Sequence, residues 1–169
     1  MKIAITGSPR SGKTTLIRQI ALTVDAVGFY TAEIKRNGRR YGFDIITTWG
    51  ATYPLARVGS HSPFKIGKYA VFPDNLNPVM KYLISVPAEK TLIVDEVGKM
   101  ELLNPMFAQT IETLWHESKS IIVTIPIKDI APIIKDIRHS ADFIINLDKE
   151  KPHLEDIISY ISSSLQDND

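Results

Sequence analysis

The sequence predicts an α/β protein: a mostly parallel sheet with helices on both faces, carrying an antiparallel β insertion after the first helix. Three observations predict it. Short apolar runs alternate with stretches of helical apolar spacing: Lys2-Ile3-Ala4-Ile5-Thr6, Thr91-Leu92-Ile93-Val94, Ser120-Ile121-Ile122-Val123-Thr124 and Asp142-Phe143-Ile144-Ile145-Asn146. Strands buried on both faces of a parallel sheet read this way. The first run leads at once into a glycine-bounded loop, Gly7-Ser8-Pro9-Arg10-Ser11-Gly12-Lys13-Thr14, and then into a helix over Thr15 to Leu22. The second run ends in Asp95-Glu96, at the strand end where ligands of open α/β sheets gather.

The elements follow in order. After the first helix, Val27 to Ile34 has strand character, and Tyr41 to Thr48 is the returning strand. Between them Asn37-Gly38 marks a hairpin, because a type I′ turn needs positive φ at both positions. An extended piece runs through Tyr53 to Val58. A glycine, serine and proline stretch to Pro63 follows, then a strand over Lys68 to Phe72. Residues from about Val27 to Phe72 thus form a turn-rich β insertion, on the same side of the fold as the glycine-bounded loop. Asn77-Pro78 opens a helix over Val79 to Ser85, with proline just inside its start. Asn104-Pro105 opens another, in which Phe107, Ile111 and Leu114 recur three and four apart. Ile127 to Arg138 reads as a helix with Pro132 as a kink or late start. Leu154, Ile157, Ile158 and Ile161 mark the final amphipathic helix, and Ser162 to Asp169 its fraying end.

Strand, loop, Gly-Lys-Thr and helix together match the phosphate-binding P-loop, and each part has a physical task. The loop turns backbone N–H groups inward as an anion nest. Gly7 and Gly12 allow angles and approaches that a Cβ opposes. The first helical turn adds unpaired N–H groups and the positive end of its dipole. Lys13 reaches the β/γ-phosphates and the Thr14 hydroxyl takes a place on Mg²⁺. The competing reading, a chance glycine-rich turn, lacks the strand before and the helix after. Leu92-Ile93-Val94-Asp95-Glu96 fits the Walker B pattern. Asp95 holds Mg²⁺ through a water. Glu96 stands where it can orient and deprotonate a water attacking the γ-phosphate. Alone, this pair would equally suit two solvated acids. Lys99, in Val97-Gly98-Lys99-Met100-Glu101, can contact the γ-phosphate or the nucleotide edge, or be a solvated loop lysine. Arg39, Arg40, Arg57 and Arg138 are candidates to meet transition-state charge, and the sequence does not choose among them. Arg10 is expected to point away from the phosphates. Trp49, Tyr53 and Phe64 are candidates to stack on a base, against the commoner role of aromatics as core. His61, His116, His139 and His153 show no metal spacing.

Length and composition bound the reading. The 169 residues fit one domain, 1–169, large enough for a substantial core. The net charge of +1 does not suggest a nucleic-acid or membrane surface binder. No evident basic and aromatic groove for nucleic acid is present, and a protein partner is left open. With no cysteine, disulfides and thiolate metal sites are excluded, which fits a cytoplasmic protein. No apolar run is long enough to span a bilayer, and the start leads straight into the P-loop without room for a signal peptide.

Three stretches carry a family resemblance: Ile5-Thr6-Gly7 through Thr14-Thr15-Leu16; Gly28-Phe29-Tyr30-Thr31 with Gly42-Phe43-Asp44; and Leu92 through Glu101. Val79-Met80-Lys81-Tyr82-Leu83 adds to it. The chain resembles the small archaeal and bacterial nucleoside-triphosphatases related to the human cancer-related nucleoside-triphosphatase. The first stretch is shared with all P-loop proteins. The Gly-Lys-Met-Glu after the Walker B acids is far more specific. Arg10-Ser11 departs from the smaller or apolar pair of many relatives without touching the Gly-Lys-Thr chemistry. The resemblance implies a RecA-like or kinase-like P-loop fold and Mg²⁺-dependent hydrolysis of ATP, GTP, CTP and UTP with little base preference. It places nucleotide binding on Gly7, Ser8, Pro9, Arg10, Ser11, Gly12, Lys13 and Thr14, and on Leu92, Ile93, Val94, Asp95, Glu96, Val97, Gly98 and Lys99. Lys13 and Glu96 would be catalytic, and Thr14 and Asp95 would hold the metal. A nucleotide or small-molecule kinase is the alternative, since a carboxylate can also deprotonate an acceptor hydroxyl. A regulatory switch that binds nucleotide is the third reading.

Overall fold

A computed structural model describes residues 1–166. One nine-stranded sheet carries the fold, in the order β5-β6-β4-β3-β2-β7-β8-β1-β9. Its parallel half is β1 (Lys2–Thr6), β7 (Thr91–Val94), β8 (Ser120–Ile125) and β9 (Phe143–Asn146), joined by the first residues of β2 (Val27–Arg36). The antiparallel half is the rest of β2 with β3 (Arg39–Thr47), β4 (Thr52–Val58), β5 (Phe64–Ile66) and β6 (Tyr69–Val71). The helices are α1 (Lys13–Thr23), α2 (Asn77–Ser85), α3 (Phe107–Glu117), α4 (Pro132–Ser140) and α5 (Leu154–Gln166). Short 3₁₀ turns over Pro73–Leu76 and Glu101–Leu103 precede α2 and α3.

β1, β7 and β8 are apolar runs because helices cover both faces of the sheet there, whereas the edge strand β9 leaves Phe143 and Ile144 exposed. β7 and β8 are buried along their whole length. Two clusters divide the core across the sheet. Ile3, Ile5, Ile17, Ile20, Ile93, Ile122 and Ile161 pack on the side of α1 and α5. Phe29, Val94, Phe107, Trp115, Val123 and Ile134 pack on the side of α2, α3 and α4. Alternate residues of β7 thus serve opposite faces, the period-two rule of a strand.

β2 joins the halves. Val27–Phe29 pair in parallel with Leu92–Val94, while Phe29–Arg36 pair antiparallel with Arg39–Thr47. Asn37 (φ 52) and Gly38 (φ 73) make the turn with the positive angles expected of type I′.

Of the two readings of Pro132, the late start is the one found: no helix forms over residues 127–131, and α4 starts at Pro132. Ala131 is extended, because the ring of the following proline disfavours helical angles there, and proline's missing N–H is harmless at the first helical position. Phe64–Ile66, unassigned from sequence, is a strand completed by its partner Tyr69–Val71. Residues 167–169 of the expected fraying end lie outside the described residues. Among the described residues no helix is long and apolar enough to cross a membrane.

Candidate active site

The C-terminal ends of β1, β7 and β8 open into one cavity of about 910 Å³. Its floor is the loop between β1 and α1. A Cβ on Gly7 would lie 2.4 Å from Ser11 Oγ and 3.3 Å from Leu147 Cβ, so the loop packs closely over this glycine. Gly12 sits at φ 100 at the entry to α1, and no side chain caps the helix, which leaves its first N–H groups for a ligand. The backbone N–H and the hydroxyl of Ser8 both donate to Asp148, at 2.8 and 2.7 Å, tying the loop to the segment after β9. The Ser11 hydroxyl is buried without a hydrogen-bond partner among the described residues. Lys13 folds back over the loop and donates to the Gly7 carbonyl at 2.8 Å.

β7 delivers Asp95 to the same place. Its carboxylate is 1% exposed and accepts three bonds: from the hydroxyl of Thr14 (2.8 Å), the hydroxyl of Thr124 at the end of β8 (2.5 Å) and the N–H of Thr31 in β2 (3.3 Å). Burial raises the Asp95 pKa, and those hydrogen bonds with the charge of Lys13 oppose the rise. The Glu96 carboxylate lies 3.8 Å from the Lys13 ammonium. Burial also raises the Glu96 pKa; Lys13 opposes this and Asp95 adds to it. Glu101 is buried as well, with Glu96 for a neighbour and no ion-pair partner among the described residues. Burial first, then the Glu96 charge, pushes its carboxyl well above the usual range. A Cβ on Gly98 would meet Glu96 Oε1 at 2.4 Å and Glu101 Oε2 at 3.0 Å, so this glycine leaves room for both acids.

The sites expected from sequence divide by where their side chains go. Gly7, Pro9, Arg10, Gly12, Lys13, Thr14, Asp95, Glu96 and Lys99 line the cavity. Arg10, expected to point away, is exposed on its rim. Leu92, Ile93, Val94 and Val97 are buried in the core. Ser8 is turned to Asp148, while Ser11 and Gly98 shape the loops behind the lining. Of the four candidate arginines only Arg40 lines the cavity, paired with Glu33 at 3.1 Å. Arg39 lines a separate surface cavity. Arg57 is held by Asp44 at 2.5 Å, and Arg138 by Asp129 at 2.9 Å. The aromatic candidates for base stacking are used elsewhere. Trp49 stacks on Tyr82 with centroids 3.9 Å apart, and neither Tyr53 nor Phe64 lines the cavity. The aromatic that does line it is Phe43. Thr124, Thr31 and Glu101 went unassigned from sequence. Thr124 carried a signal, being a polar residue at the end of an apolar strand, the same position that marks Asp95.

The donors around Asp95 suit Mg²⁺. This hard ion takes oxygen ligands, and it is usually held by one or two carboxylates together with substrate phosphates. Thr14 and Asp95 present a hydroxyl and a carboxylate to one point beside the anion loop. Among the described residues there is no cluster of three or more His, Cys, Asp or Glu that could hold a metal alone.

A glycine-bounded loop whose threonine reaches an acid at the end of another parallel strand, with one strand between them, makes this a P-loop NTPase fold. Similarity narrows the class. Residues 2–158 match the NTPase family. The nucleoside-triphosphatase THEP1 of Thermotoga petrophila is 38% identical, over 99% of this chain and 94% of that protein. The human cancer-related nucleoside-triphosphatase is 35% identical, over 96% of this chain and 97% of its own. The crystal structure of THEP1 from the hyperthermophile Aquifex aeolicus superposes with a TM-score of 0.83 at 34% identity, covering 95% of this chain and 98% of that one. The chain belongs to this nucleoside-triphosphatase family.

Proposed function

We propose that the protein hydrolyses nucleoside triphosphates to diphosphate and phosphate, with Mg²⁺ as cofactor and broad tolerance of the base. The observation that carries the reading is the convergence of Lys13 and Thr14 with Asp95 and Glu96, Thr14 to Asp95 at 2.8 Å and Lys13 to Glu96 at 3.8 Å. The loop amides and the free N–H groups of α1 bind the phosphate chain. Lys13 leaves the Gly7 carbonyl and neutralises the β/γ oxygens. Thr14 and Asp95 would hold the cation, which when bound draws charge off the transferring phosphoryl group. Thr124 and the Thr31 N–H keep the Asp95 carboxylate aimed at Thr14. Glu96 orients the attacking water and takes its proton as the new P–O bond forms and the bond to the β,γ-bridging oxygen breaks. Arg40, released from Glu33, is the arginine placed to meet charge on the γ-phosphate. Base tolerance is supported by the rim beyond the loop. There Pro9, Arg10, Thr15 and Arg18 are all exposed, whereas strong discrimination needs buried polar groups that are left unpaired by the wrong base. A cysteine-free chain acting on nucleoside triphosphates fits a cytoplasmic setting.

The test is phosphate release from ATP, GTP, CTP and UTP with Mg²⁺, on wild type and Glu96→Gln in parallel. All four should turn over at comparable rates. The variant should bind nucleotide normally and lose about 10²–10⁴-fold in turnover, the usual worth of a positioned base. A variant as fast as wild type removes Glu96 from the mechanism, and release from a single nucleotide removes the base tolerance.

A further inference from the structure

A triphosphate and one attacking water leave the apolar part of the cavity lining unexplained. That part is Phe43 of β3, Leu55 of β4, Ile66 of β5, Met100, and Ile127 and Ile130 from the loop between β8 and α4. Ile127 and Ile130 are 49% and 40% exposed. They are nevertheless held in place, because Arg138 donates to the carbonyls of Pro126 (2.6 Å) and Ile127 (2.9 Å) and pairs with Asp129 in the same loop. Isoleucines fixed towards an open cavity are covered by a ligand more readily than by water.

The strand order says which side of the phosphates this wall faces. From the P-loop strand β1, the sheet runs through β8, β7 and β2 to β3 and β4, with β5 at the edge. With Lys13 on the β/γ-phosphates and Thr14 beside the cation, the γ-phosphate comes to rest at Asp95 and Glu96. The nucleoside then leads back past Thr15 and Arg18 on α1, both on the cavity lining. The wall from β3, β4 and β5 lies beyond the acids, on the attacking side of the γ-phosphate. The cavity lining carries the carboxylates Glu33 and Glu96, which face Arg40 and Lys13, and two further cations, Lys99 and Lys128, neither of which has an ion-pair partner among the described residues.

We propose that this apolar part of the cavity is a second binding site, for a small organic anion with an aromatic or branched aliphatic body, occupied together with the nucleoside triphosphate. The body covers Phe43, Leu55, Ile66, Ile127 and Ile130, and the anionic group meets Lys128. The simultaneous occupancy rests on the reading of the P-loop as the triphosphate site.

The probe is 8-anilino-1-naphthalenesulfonate, an anion with an aromatic body, titrated by fluorescence into the full chain with and without saturating Mg²⁺ and a non-hydrolysable ATP analogue. Saturable binding is expected, with a Kd changed less than about twofold by the analogue. Ile127→Glu should weaken the dye at least tenfold, and Lys128→Glu should weaken it several-fold. Both variants should bind the analogue as wild type does and melt as cooperatively by circular dichroism. Competitive displacement of the dye by the analogue would overturn the proposal, since the chamber would then hold the nucleoside. Unchanged dye affinity in Ile127→Glu would overturn it too. If the analogue fails to bind wild type, the triphosphate reading falls instead. The Ile127→Glu comparison in nucleotide-free protein then still decides for or against the chamber.

Discussion

Three acids within a few residues of one another, Asp95, Glu96 and Glu101, have different surroundings and therefore different chemistry. Asp95 is hydrogen-bonded on both oxygens and has little freedom. Glu96 has no such tether among the described residues and faces Lys13, the arrangement of a base that must move a proton. It has to be ionised to act, and its pKa is raised. Turnover should therefore fall on acidification from a pH above the ordinary glutamate range. A pH profile of kcat/KM should show this acid limb in wild type, and the residual activity of Glu96→Gln should lack it. A limb at the ordinary glutamate pKa would mean that burial does not tune the group. Glu101 makes a stability prediction. Its folded pKa lies above the unfolded one, so the native state binds more protons between the two values. Stability is then greatest below the unfolded pKa and is lost as pH rises through the folded one. Glu101→Gln keeps the shape and removes the charge. In melts taken from mildly acidic to mildly alkaline pH, the variant should lose less stability than wild type and should melt higher at the alkaline end. Equal slopes would show Glu101 to be charged without penalty.

At the scale of elements, β2 decides whether there is one sheet or two. Its first residues lie so close to β7 that a Cβ on Gly28 would sit 1.9 Å from the Ile93 carbonyl oxygen. No rotamer relieves a clash with backbone. Gly28→Ala should cost on the order of 1–3 kcal/mol, the usual range for overpacking, and lower the melting temperature by several degrees for a chain of this size. An unchanged melt would show that β2 and β7 can separate freely. The same strand shows what could be read from sequence. β1, β7, β8 and β9 announce themselves, since each is a run of three apolar residues bounded by polar ones and set between helical stretches. The Asn37-Gly38 turn does so too, because its backbone angles admit few residues. The double pairing of β2 is invisible locally, as both partners are distant in sequence. β5 exists only because β6 returns beside it. The loop before Pro132 carries isoleucines that imitate helical spacing, and only the proline's effect on Ala131 stops the helix. The P-loop and the two acids were legible as motifs. Thr124 and Thr31 were not, because their role depends on which strand ends lie beside β7.

At the scale of the whole molecule, the site belongs to no single segment. Lys13 and Thr14 follow the first strand, Asp95 and Glu96 follow the seventh, and Thr124 lies near the end of the eighth. Unfolding scatters them, so a nucleotide that needs them together binds the native state alone and stabilises it by mass action. At a free concentration 100 times the Kd the gain is about 2.7 kcal/mol. For a chain of this length that corresponds to a rise in melting temperature of roughly 5–10 °C. Wild type should show such a rise with Mg²⁺ and each of ATP, GTP, CTP and UTP, using non-hydrolysable forms to keep the ligand constant. The four shifts should be similar, since the loop amides, Lys13 and Thr14 grip only the phosphates. Lys13→Ala should lose most of the shift with all four, each measured against the unliganded variant. A shift confined to one base would mean that some part of the chain reads the base edge. A shift that survives in Lys13→Ala would mean that the triphosphate is held somewhere other than the P-loop.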